Sequence, residues 1–155
     1  MKRFLLHGLA CLVVTNVAAA GSPGKVGSAA RRGGAAQAVR LGREFRVRVG
    51  RSVTFGRPGL RLKFLSVAND SRCPADVNCV WAGNAEVLVE VGAESGKGKT
   101  TLRLNTNASP ERPGEGKYGH YTVKLLGLSP RPGGGRKIKA GEYTATLLVA
   151  LVVVD

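Results

Sequence analysis

At 155 residues, 43% hydrophobic and 22% charged, the chain has the length and balance of one globular domain rather than a disordered polymer. Its 22 glycines and low aromatic content (5%), beside many Val, Leu and Thr, point to strands and turns and away from helices. Three cysteines and two histidines leave little material for metal centres or for most catalytic designs. A formal charge of +14 attracts anionic surfaces such as phosphates, acidic glycans or lipid headgroups, or simply keeps a small protein soluble.

Residues 1–20 read as a secretory signal peptide. Lys2 and Arg3 supply the positive start, Phe4 to Val17 the apolar segment, and Ala18-Ala19-Ala20 the small residues before a cleavage site. Cleavage would discard Cys11, and the apolar run falls short of the roughly 20 residues that a membrane span needs. Residues 21–41, mostly Gly, Ala, Ser and Arg, show little periodicity and are expected to form a flexible basic linker. Residues 42–155 are expected to form a single domain.

From Phe45 the pattern changes. Phe45, Val47 and Val49, then Val53 and Phe55, alternate with Arg46, Arg48, Arg51 and Thr54, the period-2 signature of half-buried strands. Arg57-Pro58-Gly59 marks a turn, and Leu60, Leu62, Phe64 and Val67 continue the alternation. Ala85, Val87, Val89 and Val91 form the next strand, with Leu88 half-covered on its other face. Thr100 to Thr106 follows, Leu102 and Leu104 inward. Asn107 to Gly119 reads as a loop, Tyr121 to Leu125 as a strand, and Ser129 to Gly135 as a second Pro/Gly loop. The last strand runs from Tyr143 to about Val153. About seven short strands at this spacing predict an all-β fold, an antiparallel Greek-key β-sandwich of immunoglobulin-like architecture. Tyr143, at the start of a late strand, fits a tyrosine corner, its hydroxyl bonded to upstream backbone.

The chain is organised around the stretch from Asp70 to Asn84. Cys73 and Cys79 are the only cysteines left once the leader is removed, and an exported chain meets an oxidising compartment, so a local disulfide is expected. Its short loop implies a stabilisation of about 2 kcal/mol. Thioredoxin-like redox chemistry wants a tighter Cys-x-x-Cys spacing. Metal sites want more Cys or His than the single remaining His120 provides, so no metal and no cofactor is expected. Trp81 beside the disulfide is expected to plug the core; an exposed Trp81 would instead be a binding anchor. Arg72 between Asp70 and Asp76 reads as a bracing ion pair, or with Trp81 and Asn84 as a polar binding loop.

Other motifs yield less. Gly92 to Thr100 resembles a phosphate loop, but the second required Gly falls on Lys97 and no helix pattern follows, so a hairpin is predicted. Asn69-Asp70-Ser71 and Asn107-Ala108-Ser109 match the glycosylation sequon, which matters only in a eukaryotic secretory route. His120 lacks a G-x-S-x-G partner for nucleophilic catalysis. Arg131, Arg136, Lys137 and Lys139 make the last long loop a candidate anion-binding face. That loop has no aromatic stacking platform, which disfavours nucleic acid.

The run Asp-Ser-Arg-Cys-Pro-x-x-Val-x-Cys-x-Trp-x-Gly over residues 70–83 resembles a signature of small exported bacterial proteins of uncharacterised function. The resemblance extends loosely over residues 45–150 and implies a bacterial source and a periplasmic or extracellular location; it transfers no catalytic residue. The function expected is a non-enzymatic binding or structural module of the cell envelope, partnered by an envelope protein or an anionic glycan or lipid surface. The alternatives are a polyanion binder working through the basic loops, and an enzyme inhibitor or hydrolase.

Overall fold

A computed structural model of the chain describes residues 37–56, 59–133 and 135–152, all within one compact unit. The expected signal peptide, and the linker up to residue 36, lie outside the described residues. Nine strands are present among those described: β1 (Gln37–Ala38), β2 (Glu44–Arg48), β3 (Ser52–Phe55), β4 (Leu60–Asp70), β5 (Ala85–Ala93), β6 (Thr100–Asn105), β7 (Glu115–Tyr118), β8 (Tyr121–Ser129) and β9 (Thr144–Leu151). One 3-10 turn, Ala140–Glu142, precedes β9.

The strands form two sheets, ordered β1-β3-β4-β5-β6 and β2-β9-β8-β7. All pairings are antiparallel except the two-residue β1, which runs parallel to β3. In the second sheet the chain-first strand β2 lies against the chain-last strand β9. That order is a Greek key with the first sheet inserted in its long connection. The sandwich is immunoglobulin-like in architecture, with four consecutive strands, β3 to β6, running as a meander of its own.

The alternation in the sequence fixes which face of each strand is dry. Phe45 and Val47 on β2, Val53 and Phe55 on β3, Leu62 and Phe64 on β4, and Val87, Val89 and Val91 on β5 face inward. Leu104, Val123, Leu125, Ala145, Leu147 and Val149 meet them from β6, β8 and β9. Phe45 and Phe55 join the two sheets edge to face, ring centroids 5.5 Å apart. The segment Gly92 to Thr100 is the predicted hairpin: Gly96 N–H donates to the Ala93 carbonyl at 2.8 Å, and Gly96 takes a left-handed φ of 82°.

Two strands lie where loops were expected. β1 falls in the presumed linker, and Val39 and Leu41 pack on the core, so the folded part starts before residue 42. β7, Glu-Gly-Lys-Tyr, lies inside the presumed loop 107–119. Its inward positions are Gly116 and Tyr118; at Gly116 a Cβ would stand 3.1 Å from both methyls of Leu102, so Leu102 fills the space that a strand side chain would normally take.

Candidate functional site

Strand directions bring three loops to one end of the sandwich: 71–84 between β4 and β5, 106–114 between β6 and β7, and 130–143 between β8 and β9. A largely buried polar clasp ties the first of these loops to the last. Arg72 Nε and Nη2 donate to Asp70 Oδ1 and Oδ2, each at 2.7 Å, a bidentate pair whose side chains are only about a tenth exposed. The same guanidinium donates to the Leu128 carbonyl, and to that of Pro130 at 2.8 Å. Tyr143 Oη donates to Asp70 Oδ2 at 3.0 Å. Asp70 ends β4 of the first sheet and Arg72 follows it in the loop, while Leu128 is on β8 of the second sheet and Pro130 and Tyr143 lie in the loop between β8 and β9, so the clasp closes one layer on the other.

The clasp sets its own protonation. Burial pushes the Asp70 carboxyl up, but the side-chain and backbone hydrogen bonds from Arg72, its positive charge and the Tyr143 hydroxyl outweigh burial and hold the carboxyl below its usual value. Burial, and then the bonded Asp70 carboxylate, push the Tyr143 hydroxyl up. The expected bracing pair is therefore present. The tyrosine-corner expectation is corrected in its partner: the Tyr143 hydroxyl donates to the side-chain carboxylate of Asp70 rather than to upstream backbone.

Above the clasp, loop 71–84 keeps a hydrogen-bonded stem. Ser71 N–H donates to the Asn84 carbonyl at 2.7 Å, and Cys73 N–H to the Ala82 carbonyl at 3.0 Å. Gly83 makes the stem possible: its φ is +67°, and a Cβ there would fall 1.9 Å from the Ser71 carbonyl oxygen. Cys73 and Cys79 form the expected disulfide, Cα atoms 5.9 Å apart. Ala75 N–H donates to the Pro132 carbonyl at 2.8 Å, fastening this loop to the last one.

Asn84 braces the other flank. Its Nδ2 donates to Asn105 Oδ1 at 2.7 Å, and its Oδ1 accepts from Asn107 N–H at 3.0 Å. Asn105, the one polar or charged residue buried as a whole among the described residues, donates in turn to the Pro113 carbonyl at 3.1 Å. Of the four residues proposed from sequence as a binding loop, Asp70, Arg72 and Asn84 thus spend their polar groups inside the protein.

Trp81 does the opposite. It is 83% exposed, Val80 92% and Val77 56%, so the expectation of a core-plugging tryptophan is corrected. The physical reason lies in the position of the disulfide. It closes a loop beyond the sheets instead of bridging them, so the residue beside it stands outside the core. Leu126, 46% exposed, lies next to a bulge in the β8–β9 register and shares an open groove with Ala82, Gly83 and Arg131. Four of the five large exposed hydrophobics among the described residues therefore gather at this end. Sequence reasoning missed Val77, Val80 and Leu126. The available signal was Val80-Trp81, two adjacent large apolar residues in a stretch with no strand alternation.

The basic loop divides. Arg136 Nη1 is held by Glu142 Oε1 and Oε2 at 3.0 and 3.1 Å. The exposed Arg131 and Lys137 make no side-chain hydrogen bond or ion pair with a described residue, and Lys139 is exposed beside them. Arg136 and Lys137 share a groove with Val77, and Arg112 shares one with Trp81. His120 sits in the β7–β8 turn at the far end of the sandwich, exposed. Among the described residues no group of three His, Cys, Asp or Glu could hold a metal ion, and no helix is long and apolar enough to cross a membrane. No protein-family model, curated protein or solved structure matches the chain.

Proposed function

We propose that the protein is an exported, non-enzymatic binding module of the bacterial envelope, and that the tip of loop 71–84 is its contact surface. The observation that carries this reading is the exposure of Val80 and Trp81 on a loop fixed by a disulfide, a buried ion pair and a hydrogen-bonded stem. A rigid apolar tip loses little conformational freedom on binding, and aromatic anchors of this kind dominate interface energetics. The disulfide and the leader-like residues 1–20 support export to an oxidising compartment. A non-catalytic role agrees with the bonding of the polar groups. Asp70 gives both oxygens to Arg72 and Tyr143, and His120 stands at the opposite end.

Fractionation of the producing cell tests the reading. The chain should be retained with the envelope, and Trp81→Ala combined with Val80→Ser should release it to the soluble fraction without changing its melting temperature. Equal retention of variant and parent would remove the tip as the contact surface.

A further inference from the structure

We propose that the occupant of the tip is an anionic lipid bilayer. Trp81, Val80 and Val77 enter the boundary between headgroups and acyl chains, and Arg112, Arg131 and Lys137 lie at headgroup level. This rests on the reading of the tip as a contact surface and supplies its partner.

The shape comes first. A side chain 92% exposed, as Val80 is, has almost no neighbours in its own protein, so this is a projection and not a groove. The grooves flanking it are open and shallow, and a protein partner would need a matching socket to bury both Val80 and Trp81. A bilayer accepts a projection of any outline, and its interface is where tryptophan, with an apolar body and one N–H, is best placed. The stem, the clasp and the disulfide leave the tip already formed before it meets the surface, which lowers the ordering cost of binding.

Charge complementarity selects the lipid. Arg112 borders the Trp81 side of the tip, Arg131 the Ala82–Gly83 side and Lys137 the Val77 side. At this end Arg112, Arg131, Arg136, Lys137 and Lys139 outnumber Glu111, Glu142 and Asp76; Glu142 is paired with Arg136, Glu111 accepts from the Ser109 hydroxyl at 2.9 Å, and Asp76 shares the Val77 groove with Lys137. An apolar centre ringed by cations matches hydrocarbon beneath anionic headgroups. A neutral protein patch would leave the cations unanswered, and an acidic glycan would leave Val80 in water.

Trp81 is the chain's sole tryptophan, so its emission reports on the tip and on nothing else. The full chain is titrated with vesicles of equimolar phosphatidylglycerol and phosphatidylcholine, with and without brominated acyl chains. Attachment through residues 1–20 alone would leave the tip in water and its emission unmoved. The expected result is a shift to shorter wavelength, quenching by the brominated lipid, and weakening with salt. Arg131→Gln with Lys137→Gln should weaken binding roughly 30-fold, and Val80→Ser roughly tenfold. Emission that neither shifts nor quenches overturns the proposal, as does an equal response to pure phosphatidylcholine. If emission is silent with lipid while envelope retention still depends on Trp81, the tip remains a contact surface and its partner is a protein or a glycan.

Discussion

Arg72→Ala should be the most damaging single change outside the apolar core. The substitution removes two charge-assisted hydrogen bonds to Asp70 and the donors to the Leu128 and Pro130 carbonyls. It also leaves the Asp70 carboxylate, about nine-tenths buried, with Tyr143 as its remaining side-chain donor. Breaking a buried pair from one side costs about 3–5 kcal/mol, mostly the penalty of the stranded charge. A domain of this size loses roughly 4 °C of melting temperature per kcal/mol, so the midpoint should fall by about 12–20 °C. Far-UV circular dichroism during thermal and urea unfolding measures this, and Trp81, standing outside the core, is a poor probe for it. Arg72→Lys should recover less than half of the loss, since one ammonium cannot serve a carboxylate and two carbonyls together. Adding Asp70→Asn to Arg72→Ala should give back part of the loss, because the stranded charge is gone. A loss under about 1 kcal/mol for Arg72→Ala would refute the reasoning, since that is the scale of an exposed ion pair.

Gly83→Ala should disrupt the stem of loop 71–84, because its Cβ would overlap the Ser71 carbonyl and its φ is left-handed; at least about 2 kcal/mol should be lost in urea titration, and protease cleavage near Trp81 should appear. Reduction of Cys73–Cys79, or its replacement by two serines, should cost about 2 kcal/mol and leave the strand content by circular dichroism unchanged, because the bridge lies beyond the sheets. The Asp70 carboxyl titrates below its usual value in the folded chain, so its contribution is complete above the ordinary carboxylate range and is lost as pH falls through the lowered value. Asp70→Asn should flatten the acid limb of the stability profile, and an unchanged acid limb would place the linkage elsewhere. Tyr143→Phe removes one donor to Asp70 and should cost about 1–2 kcal/mol in the same unfolding assay.

The fold was legible wherever one face of a strand is dry. β2 to β6, β8 and β9 announce themselves through Val, Leu and Phe at alternate positions, because burial on one face imposes that period. β7 was hidden because one of its two inward positions is Gly116, covered by Leu102, which leaves Tyr118 as its single inward side chain and no visible alternation. β1 was hidden because two backbone pairings with β3 ask nothing of sequence pattern. In the site, the Asp70–Arg72 pair and the disulfide are separated by a few residues and could be read locally. The Tyr143–Asp70 bond, the Asn84–Asn105 bond and the Arg72 bonds to Leu128 and Pro130 join distant segments, and only the packed sheets bring them together. The exposure of Trp81 was misjudged because the immunoglobulin precedent concerns a bridge between sheets, and this bridge never enters the core.

The pairing of β2 with β9 bears on how the chain is made. Glu44 lies opposite Leu148 and Arg48 opposite Thr144, so this ladder joins segments about a hundred residues apart, a long-range closure of the kind that slows folding. Phe45 and Val47 have no partner strand until β9 has been synthesised, and the second sheet cannot assemble early around its first strand. A chain of this topology closes its second sheet only when β9 pairs with β2. Among the described strands, the last along the chain is the one that closes the second sheet.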